Sequence, residues 1–245
     1  MKKSLAVAVG CALFAATSAG AQLVRLGPGA FTPAATTITF SEQPLNTVNP
    51  VYTFSGVPDL GNVTVSFAGA FNGQTVTGGG VRTLSGTPTN PLSLNTSVIT
   101  KIVNDGANPT SPVLSGDPTF NGPIVMFFSQ PVAAVALDGG FFDAVGATSI
   151  TGFDALGNVL GSFTNSALGI ENYGFADASG NNVISGLAFY ITGNEPAGFA
   201  IDNVQFGSAS VVIIPNVTPE PGTITLFATG LVGVAAFARR RRRKA

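Results

Sequence analysis

The side chains able to do chemistry in this chain are nearly all carboxylates. Between residues 22 and 218 stand Glu42, Asp59, Asp105, Asp117, Asp138, Asp143, Asp154, Glu171, Asp177, Glu195 and Asp202, eleven acids against the three cations Arg25, Arg82 and Lys101, a balance of −8. The full 245-residue sequence has no histidine and no tryptophan, and its single cysteine, Cys11, lies near the N-terminus. That inventory excludes a Ser-His-Asp triad, a Cys-His pair and a histidine-bearing zinc site. Hydrolysis would have to rest on two carboxylates about 5 to 10 Å apart, as in glycosidases. The acids permit such a pair, and no motif selects one. Calcium is the other chemistry on offer, because it takes several hard oxygen ligands. Asp138, Asp143 and Asp202, with Asn203 beside the last, are the best placed for a structural calcium. Asp138-Gly139-Gly140-Phe141-Phe142-Asp143 reads as a flexible turn carrying two carboxylates. The alternative stays open that these aspartates cap turns by bonding nearby backbone N–H groups.

Other ligand signals are sparse. No D-x-D-x-D-G loop is present, which excludes an EF-hand. The triglycine Gly78, Gly79, Gly80 has no following lysine and helix, so it is a loop and not a phosphate cradle. Tyr52, Tyr173 and Tyr190 are the only tyrosines, a thin supply for stacking on sugars. Phe141 and Phe142 would add a platform if exposed, against the plainer reading that they pack in a core. A weakly charged, acidic body repels nucleic acid and anionic membrane surfaces, and is compatible with neutral glycans or cations.

The elements that must position these residues are β-strands. Helix signals are nearly absent from residues 22–218, and Gly, Pro, Asn, Ser and Thr interrupt short runs of Val, Ile, Phe and Thr. That rhythm predicts an all-β sandwich or barrel. Strands are expected at 36–40, 51–54, 63–67, 75–77, 98–103, 124–128, 132–137, 149–153, 159–163, 184–191 and 199–206. Val63, Val65 and Phe67 alternate with Thr64 and Ser66, as a half-buried strand requires. In 199–206 the alternation is mixed: Asp202 shares a parity with Val204 and Phe206, which predicts an edge position or an occupied carboxylate. Asp154, Gly157 and Asn158 form a hairpin signal, repeated around Asp177 and Gly180. Pro131 is expected at a turn or strand start. Residues 86–91 and 104–123 read as long surface loops.

The two ends carry addresses. Residues 1–21 read as a secretory signal peptide, with Lys2 and Lys3, an apolar stretch at 5–16, and the small-x-small site Ala19-Gly20-Ala21 before Gln22. An uncleaved anchor would need a longer apolar stretch, and Cys11 lies too early for a lipoprotein site. At the other end Pro219-Glu220-Pro221 precedes 17 uncharged residues, 222–238, and then Arg239, Arg240, Arg241, Arg242, Arg243 and Lys244. The run spans about 25 Å as a helix, close to the hydrocarbon thickness of a bilayer. The basic cluster after it acts as a membrane stop that stays cytoplasmic. A buried core helix does not suit six abutting cations, and a nucleic-acid patch explains the adjoining apolar run less well.

Pro-Glu-Pro, a short apolar helix and an arginine-rich end together resemble the PEP-CTERM sorting signal of Gram-negative bacteria. The resemblance covers residues 219–245 and implies recognition by exosortase, a membrane-embedded cysteine transpeptidase, with removal of the tail near the PEP motif. It implies nothing about activity. Residues 123–207, from GPIVMFFSQPVAAVALDGGF to GFAIDNVQFG, more weakly resemble the jelly-roll half of bacterial surface proteins. Their ending is similar to the last strand of carbohydrate-binding modules, where the resemblance implies a structural calcium beside the Ile-Asp pair.

These readings predict a signal peptide (1–21), a jelly-roll-like β-sandwich ectodomain (22–208), a linker (209–218) and the sorting signal (219–245). The expected protein is not an enzyme. It is exported through the Sec translocon, passes through an inner-membrane intermediate, and ends as a structural or adhesive component of the cell surface or exopolysaccharide matrix. A calcium-dependent carbohydrate-binding module is the competing class, and a carboxylate glycoside hydrolase the third.

Overall fold

Val63, Val65 and Phe67 are buried while Thr64 and Ser66 are partly exposed, so the alternation read in the sequence is the alternation of a strand with one face on a core. The computed structural model describes residues 22–107 and 111–215. The expected signal peptide (1–21), the PEP motif, the apolar run and the arginine tail lie outside the described residues. Among the described residues no helix is long and apolar enough to cross a membrane.

Fifteen strands are described: β1 Leu23–Leu26, β2 Thr36–Ile38, β3 Val51–Val57, β4 Gly61–Ala68, β5 Thr75–Thr77, β6 Thr83–Ser85, β7 Thr100–Val103, β8 Val113–Gly116, β9 Ile124–Val132, β10 Ala134–Phe142, β11 Thr148–Phe153, β12 Val159–Thr164, β13 Gly169–Asp177, β14 Ile184–Ile191 and β15 Ala200–Gly207. One sheet runs β1-β13-β10-β15-β8-β7, with β2 also paired to β15. The second runs β12-β11-β14-β9-β4-β3, and β5-β6 form a separate hairpin. From β8 onward, all but one connection carries the chain from one sheet to the other; the exception is the β11–β12 hairpin. The resulting orders, β8-β15-β10-β13 and β9-β14-β11-β12, are those of an eight-stranded jelly roll. The all-β sandwich expected from the sequence is therefore the fold.

The core between the sheets is built from aliphatic and phenyl side chains. Phe40, Phe67 and Tyr52 meet edge-to-face, as do Phe142, Tyr173 and Phe189, and Phe128 leans on Phe206. A second apolar cluster, including Phe71, Leu84, Leu92 and Phe153, lies on the far side of the β9–β14 sheet, where the segment around β5 and β6 folds over it.

Several expectations are corrected. Strands β1, β6, β8 and β13 were not predicted. Strand β8 lies inside the expected loop 104–123 and is wholly buried. Strand β13 contains Gly169, Glu171, Asn172 and Gly174, poor strand formers that the flanking β1 and β10 hold by pairing on both sides. Pro131 lies within β9, at an irregularity where pairing with β14 jumps from Phe127 to Val132, a bulge that tolerates its missing N–H. The connection around Asp177 and Gly180 is no hairpin, because β13 and β14 belong to different sheets. Residues 209–214, expected in a linker, are docked: Val211 and Val212 are buried, Val212 bridges Phe31, and Ile213 N–H donates to Ala30 O at 2.8 Å.

Candidate functional site

Strand geometry decides where each candidate carboxylate goes. Asp138 to Phe142 belong to β10, so the expected flexible turn between Asp138 and Asp143 does not exist. Asp138 lies opposite Asp202 on β15. Between Ala136 and Asp138 the register shifts, and Leu137 faces both Asn203 and Val204. Asn203 has φ 48°, the left-handed region that asparagine tolerates better than most residues. This bulge reverses the parity of β15. Ile201, Val204 and Phe206 all enter the inter-sheet core, so Asp202 does not share a face with Val204 and Phe206.

Asp202 is fully buried on the outer side of a central strand, and its Oδ1 accepts the Asn203 N–H at 2.7 Å. Asp138 accepts Asn172 Nδ2 on one oxygen and Asn203 Nδ2 on the other, both at 2.9 Å. Asn203 therefore donates to both acids of this opposed pair, through its side-chain amide to Asp138 and through its backbone N–H to Asp202.

Asp143 is elsewhere, just beyond β10, where its Oδ2 accepts Ala197 N–H at 3.2 Å. The neighbouring Glu195 accepts the N–H groups of Asp143 and Ala144 at 2.7 and 3.3 Å, so two loops cap each other. Burial raises the Glu195 pKa, the two N–H bonds oppose that rise, and the Asp143 charge adds to it. Asp138, Asp143 and Asp202 do not converge, and no group of three acids able to hold a metal ion occurs among the described residues. A calcium site built from those three residues does not fit this arrangement.

Glu171, which the sequence did not single out, holds a loop. It accepts Ser166 N–H at 2.8 Å, Ser166 Oγ–H at 2.6 Å and Ala167 N–H at 3.0 Å, and it pairs with Arg25, whose guanidinium lies 5.3 Å from the centre of the Tyr173 ring. Burial alone would raise its pKa, but these donors outweigh burial and hold the carboxyl below its usual range.

Phe142 is fully buried and Phe141 is 47 % exposed, so the core reading holds for one ring and fails for the other. Tyr52 and Tyr173 are buried. Tyr190 is only partly so, and lines a cleft of about 250 Å³ between the β5–β6 flap and the outer face of β11 and β12. Thr151 Oγ1 lies 2.6 Å from Ser162 Oγ and 3.5 Å from the Tyr190 hydroxyl. Neither the Asp138–Asp202 pair nor the Asp143–Glu195 pair lines it. Sequence reasoning missed this cleft. Its available signal was a polar parity along β11, Ser149 and Thr151, opposite Ile150 in the core.

The address begins a few residues beyond the docked segment 209–214. Residues 217–243 match the PEP-CTERM protein-sorting motif. The chain carries a PEP-CTERM sorting signal. No curated protein matches it. The PEP-CTERM match includes Pro219, Glu220 and Pro221, the apolar run and most of the arginine tail. The protein is thus an exported PEP-CTERM substrate of exosortase, held at the membrane for the sorting step and then released at the surface.

Proposed function

We propose that this PEP-CTERM protein is a non-enzymatic structural or adhesive component of the cell surface or exopolysaccharide matrix. The observation that carries the reading is the use made of its carboxylates. Glu171, Glu195, Asp154 and Asp177 each accept backbone N–H groups that hold a loop, Asp138 ties β10 to its neighbours through two asparagines, and Asp59 accepts the hydroxyls of Ser208 and Ser210. Groups engaged in this way act as braces and not as a general acid and base facing a substrate. The sorting signal accounts for export and release at the surface, and a weakly charged, net acidic body is compatible with a hydrated neutral polymer.

The test is a deletion strain carrying a tagged copy of the gene. The tagged protein is expected in the surface or matrix fraction, with matrix cohesion reduced in its absence. Release of reducing sugar from the host's exopolysaccharide by the purified protein overturns the non-enzymatic reading. The cleft beside Tyr190 favours a second reading, a carbohydrate-binding module, without the calcium dependence that Asp138, Asp143 and Asp202 would have had to provide together.

A further inference from the structure

The cleft beside Tyr190 has a composition that selects one class of ligand. Its floor is the outer face of β11 and its neighbours, where Thr151, Phe153, Ser162 and Tyr190 meet, and its opposite wall is Gln74 with Leu84 to Pro88. No lining residue is charged, although acids outnumber cations on the body by eleven to three. An ionic ligand would enter with no counter-charge to balance its desolvation. The lining instead combines a partly exposed phenol ring with hydroxyls, an amide and short apolar surface.

The walls are also fixed. Leu92 N–H donates to Ala155 O at 3.0 Å, which ties the segment just after the flap to the β11–β12 hairpin, and Thr83 Oγ1 donates to Ile191 O at 2.7 Å at the base of the flap. Gly157, at φ +80°, lets the hairpin tip approach so closely that a Cβ there would lie 2.9 Å from Thr89 O. A site with fixed walls costs little ordering when a ligand enters.

We propose that this cleft binds a neutral saccharide unit, with the Tyr190 ring stacking on the C–H face of a sugar and the Thr151 and Ser162 hydroxyls exchanging hydrogen bonds with its hydroxyls. A pyranose presents such an apolar face together with a rim of neutral donors and acceptors, so it matches both parts of the lining. The volume, below the usual range for drug-sized ligands, limits each cleft to a short stretch of chain. A single site of this size binds weakly, and useful retention comes from many copies on one polymer. The proposal rests on the surface-component reading above, which places the protein among such polymers, and it assigns binding to residues other than the acidic candidates.

The exported protein, purified from its host, is titrated with maltose, cellobiose and chitobiose, and with glucuronate as the charged comparison, by saturation-transfer NMR with and without EDTA. At least one neutral disaccharide is expected to bind in preference to glucuronate, unaffected by EDTA. Tyr190→Ala is expected to weaken that binding about tenfold or more, and Tyr190→Phe to keep it within about twofold. Val159 lines the cleft and is 62 % exposed, so Val159→Arg leaves the fold intact while placing a long charged side chain at the site; it is expected to abolish binding. Absence of binding to all three disaccharides, binding unchanged in both Tyr190→Ala and Val159→Arg, or binding lost in EDTA overturns the proposal. A protein in the matrix that binds none of them sinks the cleft and leaves the surface role standing. A protein that binds and cleaves them keeps the cleft and sinks the non-enzymatic reading.

Discussion

Asp138 and Asp202 oppose each other across β10 and β15, and Asn203, at φ 48°, is the residue that makes this possible. Its bulge absorbs one residue of β15, so that Ile201 and Val204 both reach the core while Asp202 turns outward. Its side-chain amide then donates to Asp138.

Asn203→Val is therefore expected to destabilise the protein more than a surface substitution would. A β-branched residue is strained in the left-handed region by about 1–2 kcal/mol, and a lost bond to a charged group adds about 2 kcal/mol. Asn203→Gly relieves the backbone strain and loses only the bond. Denaturant midpoints of the three proteins check the order: wild type, then Asn203→Gly, then Asn203→Val. A valine variant at least as stable as the glycine variant would show that the bulge does not set this geometry.

Glu171 gives a pH dependence with a definite sign. Its folded pKa lies below the unfolded value, so its contribution is complete above the unfolded pKa of about 4.3 and is lost as pH falls through the lower folded value. Glu195, with its pKa raised, acts in the opposite sense: its cost is present above the folded value and disappears as pH falls to the unfolded one. Glu171→Gln is expected to cost about 2 kcal/mol at neutral pH and to flatten the acid limb of the stability curve. Unfolding free energies measured from neutral pH down into the acid range test this.

Gly157 joins the walls of the Tyr190 cleft. Gly157→Ala meets both a positive φ and the Thr89 carbonyl, so the hairpin must retreat from the flap, at an expected cost of about 1–2 kcal/mol. The thermal midpoint is expected to fall by a few degrees. Exchange of the Leu92 amide with solvent should accelerate with it, because that N–H bonds to Ala155 O in the same hairpin. Unchanged Leu92 exchange would mean that the two walls are not coupled there.

Replacing Pro219, Glu220 and Pro221 with alanine is expected to leave the apolar run and the arginine tail on the exported protein. Mass spectrometry of the C-terminus and membrane fractionation should show an unprocessed form retained at the membrane. A normally processed tail would mean that exosortase reads other residues of the motif.

Much of this protein was legible in its sequence because the relevant signals are local. The sorting signal is contiguous, and its order of PEP motif, apolar run and arginines needs no folding to be recognised. The alternation in β4 and the Asp154–Gly157–Asn158 hairpin are local for the same reason: a strand's period and a turn's backbone conformation depend on adjacent residues. The absence of histidine, and of cysteine beyond Cys11, excluded whole classes of catalysis before any fold was known.

What only the tertiary structure decided was which residues come together. A turn signal does not reveal whether the next strand pairs with the last or crosses to the other sheet, so β13 to β14 was misread as a hairpin while β11 to β12 was not. One bulge at Asn203 changed the face of Asp202, and the strand through Gly139 and Gly140 separated Asp138 from Asp143. The Tyr190 cleft draws on β11, β12, β14 and a flap, Gln74 to Pro88, that lies far earlier in the chain. Such a site is set by pairing register and sheet-to-sheet crossings, which arise from non-local contacts and leave no pattern among sequence neighbours.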